Sequence, residues 1–252
     1  MGPDRPRGHR NQRVVAAARL HHARERRDSG KTILEGPHLL NEAVRAGVIP
    51  ETVFASPDDR LTAALAEEHG LELVLVDDTA LKRLAGTETP RGPAAMIEIP
   101  APSPHGGRGL LVAWGLGDPG NVGTLIRTAA AFGWDFGHTA GTADPWSPKV
   151  LRAGAGGHFR VGIGPVASVE ELDDVGLVTV ATVVAGGEAP DRLGSGRFAV
   201  LVGEESAGLP ADVAAIASKK VTIPMTGGTE SLNAAIAAAI IVYELSKHWA
   251  QD

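Results

Sequence analysis

The 252-residue chain contains no cysteine. That removes disulfides, thiolate nucleophiles and cysteine-based zinc sites from consideration, and it is compatible with a reducing cytosol. Long apolar runs are missing too: the longest, Ala234 to Tyr243, has ten residues, too few to span a bilayer. The N-terminus lacks the apolar core of a signal peptide, so a cytoplasmic location is expected, with neither export nor a membrane. The nine histidines are scattered, and the His21-His22 pair sits in an Arg-rich stretch rather than in a metal-ligand spacing, so no metal is expected. No internal repeat is evident. What remains is an ordinary globular composition, 43% hydrophobic, long enough for one large or two modest domains.

The net charge of −6 conceals an asymmetry. Residues 1–31 hold nine Lys and Arg against three acids, a net +6, whereas residues 32–252 hold 15 against 27, a net −12. A basic arm on an acidic body can track phosphates while the body supplies other contacts. A solubilising tail around Met1 to Asn11 explains the charge equally well.

Residues Gln12 to Arg27 are predicted to form a basic helix with Val14, Val15, Ala18 and His22 on one side. From there to Pro100 strand and helix signals alternate. Thr32 to Leu34 reads as a strand, and Pro37 suits the first turn of a helix that stops at Gly47. Thr52 to Ala55 is strand-like, Asp58 to His69 an amphipathic helix, Leu71 to Val76 a buried strand, Thr79 to Leu84 a short helix and Ala94 to Ile99 a last strand. This order implies a small layered α/β domain over residues 32–100. Three prolines and two glycines between Pro100 and Arg108 mark a linker, 101–108. Beyond it, strands are expected at Leu110–Trp114, Phe136–Thr139, Phe159–Ile163, Leu177–Thr182, Phe198–Val202 and Lys220–Ile223. Helical or loop segments between them imply a mostly parallel sheet with its ligand crevice at the carboxyl ends of strands.

Three loops carry the chemistry. The first, Trp114 to Asn121, contains Gly115-x-Gly117-x-x-Gly120 between a strand and a helix, the context of a dinucleotide-binding turn, so an NAD-dependent oxidoreductase is a rival reading. Asn121 reads as the N-cap of a helix from Val122 to Phe132, with Val122, Leu125, Ile126, Ala129 and Gly133 on its apolar face. Arg127 falls on the opposite face beside Gly123, Thr124 and Ala131, free to reach a ligand or a partner subunit, or to be an ordinary surface arginine. The second loop, Leu201 to Pro210, is a strand running into a glycine-flanked acidic turn. Gly203 permits a close backbone approach to a flat ligand, and the acids otherwise cap the next helix. The third, Ile223 to Asn233, is a Thr/Gly loop with Ser231 near the start of an Ala-rich helix reaching about Trp249, and it exposes backbone N–H groups. Ala234 to Tyr243 is apolar all round, so that helix is expected to be buried on every side, in part by a second subunit.

The segments Asp118 to Gly133, Gly203 to Leu209 and Ile223 to Asn233, in that order, resemble motifs one, two and three of the SpoU/TrmH family of RNA ribose 2′-O-methyltransferases. Asp144 to Phe159 resembles another family stretch, so the likeness covers nearly all of 109–248. Residues 32–100 more loosely resemble the ribosomal-protein-like RNA-binding module of many members, mainly through Leu34-Glu35-Gly36-Pro37 and the alternation of elements. The resemblance implies a trefoil-knotted α/β domain over 109–252 that binds S-adenosyl-L-methionine, in a homodimer acting on RNA, ribosomal RNA in preference to transfer RNA. Carried to matching positions, it implies that Thr182, Val202, Gly203, Ile223, Met225 and Leu232 line the donor pocket. Asn121 and Arg127 are then expected to face the RNA, with Ser231 and Asn233 bordering the transferred methyl.

An attack by a ribose hydroxyl on a sulfonium methyl depends on positioning and on stabilising alkoxide charge. Arg127 suits that task as a clamp better than as a base, because a guanidinium keeps its proton to above about pH 12. Ser206 stands where the family usually has Gly, Gly154 where Ser is frequent, and Ala234-Ala235 where Val-Ser is common; none removes a catalytic group. Besides the oxidoreductase, a non-catalytic RNA-binding protein remains as a rival, supported by the basic arm.

Overall fold

A computed structural model describes residues 6–90, 92–103 and 107–247. The first residues of the basic arm, part of the linker and the expected helix end at Trp249 lie outside the described residues. The chain divides into two compact units, 1–101 with 146–159, and 102–145 with 160–252.

In the first unit, helices α1 (Gln12–Arg19) and α2 (Ala23–Ser29) precede strand β1 (Lys31–Glu35). The single basic helix expected from Gln12 to Arg27 is therefore broken. Arg26, buried in the unit, donates to the Leu20 and His21 carbonyls at 2.7 and 3.0 Å and so satisfies the end of α1 where the chain turns. The buried stripe is Val14, Ala17 and Leu20, while Val15 and Ala18 are only partly covered. There follow α3 (Pro37–Arg45), β2 (Thr52–Ala55), α4 (Arg60–Glu68), β3 (Leu73–Leu75), α5 (Asp78–Ala85) and β4 (Ala94–Glu98). The sheet order is β1-β4-β2-β3, with β4 antiparallel to both neighbours and β2 parallel to β3. Asp77 caps α5 by accepting from the Ala80 N–H at 2.9 Å, and Gly86 closes it in the left-handed region at φ 60°.

Helix α7 (Pro148–Gly154) and the 3-10 turn Gly157–Phe159 belong to this unit as well. Leu151 is fully buried there, in a core with Leu34, Leu40, Val53 and Ile97, and Trp146 and Phe159 pack against that core. The strand expected at Phe159–Ile163 is corrected accordingly. Ala155 and Gly156, both at positive φ, turn the chain into the 3-10 segment, and β7 forms only at Ile163–Pro165.

The second unit is built on β5 (Leu110–Ala113), α6 (Pro119–Phe132), β6 (Asp135–His138), β7, α8 (Val169–Asp174), β8 (Val178–Thr182), β9 (Phe198–Val202), α9 (Ala211–Ile216), β10 (Lys219–Val221) and α10 (Ala234–Ser246). Its sheet order is β10-β8-β9-β5-β6-β7, and every pairing is parallel. Strands β5 and β9 are buried at every position, as expected of central strands covered on both faces. Val122, Leu125, Ile126 and Ala129 of α6 are buried against the sheet, and Gly133, rather than continuing that face, closes the helix at φ 69°.

Helix α10 departs from the expectation of burial on every side. Ala235, Ala238, Ile241, Val242 and Leu245 are buried, but Ile236, Ile240 and Tyr243 are 54%, 37% and 51% exposed. These three recur at i, i+4 and i+7, so they form one apolar stripe that the described residues leave partly exposed. No helix among the described residues is long and apolar enough to cross a membrane.

Candidate functional site

At the carboxyl ends of β8, β9 and β10 the chain encloses a cavity of about 420 Å³. Parallel strands leave their C-terminal loops on one edge, and the second and third loops meet there. Thr182, Val202, Gly203, Ile223, Met225, Leu232 and Ser231 all line it. The Thr182 hydroxyl donates to the Leu201 carbonyl at 2.9 Å, tying β8 to β9 beside the cavity wall.

Gly203 is needed for a reason internal to the chain. A Cβ at this position would sit 2.2 Å from the Gly208 carbonyl carbon and 2.4 Å from the Leu209 nitrogen. The turn from Glu204 to Gly208, closed by the Gly208 N–H donating to the Glu204 carbonyl at 2.8 Å, folds back directly over Gly203. Close approach was expected from a flat ligand; the neighbour pressed against Gly203 is its own loop.

The amides beside the cavity are oriented by a chain of hydrogen bonds. Asn233 caps α10, its Oδ1 accepting from the Ala235 and Ile236 N–H groups at 3.0 and 3.2 Å. Its amide nitrogen is thereby free to donate, and it does so to Asn121 Oδ1 at 3.1 Å. Asn121 in turn donates to a carboxylate oxygen of Glu205. Two helix starts and the acidic turn are thus joined, and each amide has one orientation because its oxygen is already an acceptor.

This arrangement corrects two expectations. Asn121 is not the N-cap of α6: Asp118 is, accepting from the Asn121 N–H at 2.8 Å, with Pro119 in the first turn. Asn121 therefore lies inside the helix with its side chain released for Asn233 and Glu205. Nor do the acids of the second loop cap the following helix, since α9 starts after Pro210 with no side-chain cap bond. Glu205 was missed as a site residue because its partners come from positions far away in sequence.

Arg127 is exposed on α6 and does not line the cavity. It lies six residues beyond Asn121, about 9 Å along the helix axis at about 1.5 Å per residue. Within one chain the structure brings together the residues expected to line the donor pocket, Ser231 and the paired asparagines, and leaves Arg127 apart from them.

The cavity's chemistry is selective. Val183, Val184, Val202, Ile223 and Ile241 supply apolar walls, while Glu204, Glu205 and Glu230 are the charged groups, with no Lys, Arg or His among the described residues that line it. Such a lining suits a ligand with an apolar aromatic part and positive charge, and it repels a pyrophosphate. The Gly115 to Gly120 turn offers no phosphate cradle either, because the Asp118 carboxylate occupies the helix N-terminus where the anion would rest. The dinucleotide reading therefore loses both its pocket and its turn.

Comparison with known proteins agrees with this geometry. Residues 109–243 match the SpoU rRNA Methylase family, and residues 11–95 match the MRM3-like substrate binding domain. A relative from Bacillus subtilis, 23S rRNA (guanosine(2553)-2'-O)-methyltransferase RlmP, is 33% identical over 94% of this chain and 96% of its own length. The human mitochondrial rRNA methyltransferase 3 is 28% identical over 87% of this chain and 68% of its own. Among solved structures, the SpoU methyltransferase AviRb from Streptomyces viridochromogenes in complex with AdoMet superposes with a TM-score of 0.86 at 26% identity, covering 96% of this chain and 99% of that one. An AdoMet-bound rRNA methyltransferase from Sinorhizobium meliloti gives 0.81 at 29% identity, covering 94% and 95%.

Proposed function

From the premise that this chain belongs to the SpoU rRNA methylase family, we propose that it transfers a methyl group from S-adenosyl-L-methionine to a ribose 2′-hydroxyl of RNA, ribosomal RNA in preference to transfer RNA. The observation that carries this reading is the cavity at the ends of β8, β9 and β10, apolar on its walls and acidic at its rim, with the Asn233–Asn121–Glu205 chain beside it. Its volume lies within the range of small-molecule sites, about 300–1,000 Å³. Thr182, Val202, Gly203, Ile223, Met225 and Leu232 hold the donor, and the carboxylates of Glu204, Glu205 and Glu230 favour its positive charge. When bound, the donor supplies an electrophilic methyl on a sulfonium that needs no metal to leave.

The chain's own groups position the nucleophile. Asn121, Ser231 and Asn233 orient the ribose, and the preset hydrogen bonds of the two asparagines spare reorganisation at the moment of reaction. Arg127 clamps the phosphate and the developing alkoxide through its fixed charge. It does so from a second subunit in a homodimer. The partly exposed Ile236, Ile240 and Tyr243 stripe supports this, since Tyr243 meets Phe132 of α6 edge-on at 6.1 Å and the two helices thus share one surface.

We further assign residues 109–252 to a trefoil-knotted methyltransferase domain and 32–100 to a ribosomal-protein-like RNA-binding domain, joined by the linker at 101–108 and preceded by the arm 1–31. The cysteine-free composition is compatible with a reducing cytoplasm, which we take as the site of action.

Tritium transfer from labelled donor to RNA tests the proposal, followed by mapping of 2′-O-methyl marks on ribosomal RNA from cells with and without the protein. A donor that binds in calorimetry without any transfer to RNA would reduce the protein to a binder, and absence of donor binding would overturn the cavity assignment.

A further inference from the structure

A second cavity, of about 390 Å³, opens within the first unit and is lined by Glu35, Ala85, Gly86, Thr87, Thr89 and Arg152. Glu35 ends β1 in the Leu34 to Pro37 segment, Gly86 closes α5, and Arg152 comes from α7. None of these residues takes part in the donor site.

The central pair is incompletely satisfied. Glu35 Oε2 accepts from Arg152 Nη1 at 2.6 Å, while Glu35 Oε1 is buried without a hydrogen-bond partner among the described residues. The Glu35 side chain is only 10% exposed, whereas that of Arg152 is 47% exposed. An unpaired buried acceptor is costly, and a charged one more so. Burial also pushes the Glu35 carboxyl above its ordinary range, against the pull of Arg152. A ligand that donates to this oxygen recovers the loss.

The charges around the cavity narrow the ligand's chemistry. Glu35 opposes a phosphate and Arg152 opposes a metal ion, so a neutral polar ligand is left. Thr87 and Thr89, exposed on the loop after α5, add hydroxyls at the mouth, and Gly86 forms part of the wall without a side chain. A Cβ at Gly86 would lie 3.0 Å from the His21 ring, which is held by the Leu84 carbonyl at 2.8 Å, and the positive φ adds strain for any other residue.

We propose that this cavity binds one unstacked guanine of an RNA strand, Glu35 accepting from its N1–H and N2–H edge and Arg152 donating to O6. Guanine sets two adjacent donors beside an acceptor, matching a carboxylate next to a guanidinium. Uracil, adenine and cytosine each place an acceptor next to the donor that would face Glu35, and the carboxylate repels it. Arginine pairing with guanine O6 and the reading of unstacked bases by their edges are general features of nucleic-acid recognition. The source of the base rests on the RNA reading above, but recognition itself is independent of methyl transfer.

The test is a titration of the full-length chain, labelled at threonine methyls, with each of the four ribonucleoside 5′-monophosphates and with inorganic phosphate. GMP should shift the Thr87 and Thr89 methyl resonances saturably, and at least roughly tenfold more tightly than the other three, the scale of one well-matched base pairing. Glu35→Gln should abolish that preference. Arg152→Gln, which removes the donor to O6 while leaving the mouth open, should weaken the GMP response at Thr87 and Thr89 to the level of the other nucleotides. No saturable shift, an equal response to all four nucleotides or to inorganic phosphate, or a GMP preference that survives Arg152→Gln would each overturn the proposal. Tritium transfer decides the methyltransferase reading separately, so the two can fail independently.

Discussion

A single atom decides the fate of Gly203. With a Cβ placed 2.2 Å from the Gly208 carbonyl carbon, Gly203→Ala forces the acidic turn outward. Overpacking of this kind costs about 1–3 kcal/mol, and part of it falls on donor binding because the same turn walls the cavity. Calorimetry should show weakened affinity with the rest of the unit still folded. Arg127 is the opposite case, a side chain free of the local packing. Arg127→Ala should leave donor affinity nearly intact and lower methyl transfer by about 10² or more, while Arg127→Lys recovers little because a point charge does not reproduce the planar fork. Transfer within about threefold of the parent would remove Arg127 from the catalytic set. His138 carries a pH consequence. Burial holds its pKa below the ordinary 6.5, with Asp144 pulling the other way. The unfolded chain therefore binds this proton more readily than the folded one. The stability it contributes is complete above about pH 6.5 and declines as pH falls through the window down to the lowered folded value. Denaturation midpoints across that window should fall with acid, and His138→Gln should flatten part of the slope.

At the scale of elements, α10 shows how an end and a face do different work. Its N-cap Asn233 both satisfies the first N–H groups and aims an amide at Asn121. Asn233→Ala should cost about 1 kcal/mol of stability through loss of the cap, and a larger relative loss of transfer than of donor binding, because the orienting chain to Glu205 is cut. The exposed face carries Ile236, Ile240 and Tyr243. If a second copy covers it, Ile240→Asp should shift sedimentation toward monomer. Sequence periodicity could not assign this face: ten apolar residues in a row give a helix no polar side to point outward. The break between α1 and α2 was equally hidden, because an arginine reads as a surface residue, whereas Arg26 is buried with its guanidinium donating to two carbonyls at the end of α1.

For the whole molecule, the charge asymmetry needs a finer reading. Of the nine cations in residues 1–31, Arg13 is paired with Glu72, Lys31 with Glu51, and Arg26 is buried. Deleting the segment would also remove Val14, Ala17 and Leu20 from the core of the first unit, so its effect on RNA could not be separated from unfolding. Replacing the exposed Arg19 and Arg27 by Gln avoids this. RNA affinity should fall, and the slope of log K against log salt should flatten by at most about 0.9 for each phosphate no longer neutralised. An unchanged slope would make the arm a solubilising segment.

The class of this protein is written in contiguous residues. Alternating strand and helix signals implied an α/β fold with a mostly parallel sheet, and three motifs in order carried the resemblance to the family, without any need to know which segments meet in space. The same holds for the seven cavity residues on the second and third loops and β8, which adjoin the ends of parallel strands. Relations between distant segments came from the tertiary fold alone. Glu205 receives the Asn121 amide, and Leu151 is buried in a core more than fifty residues before it in the chain. Such pairings depend on which loops the sheet order brings to one edge, and no local propensity encodes that order.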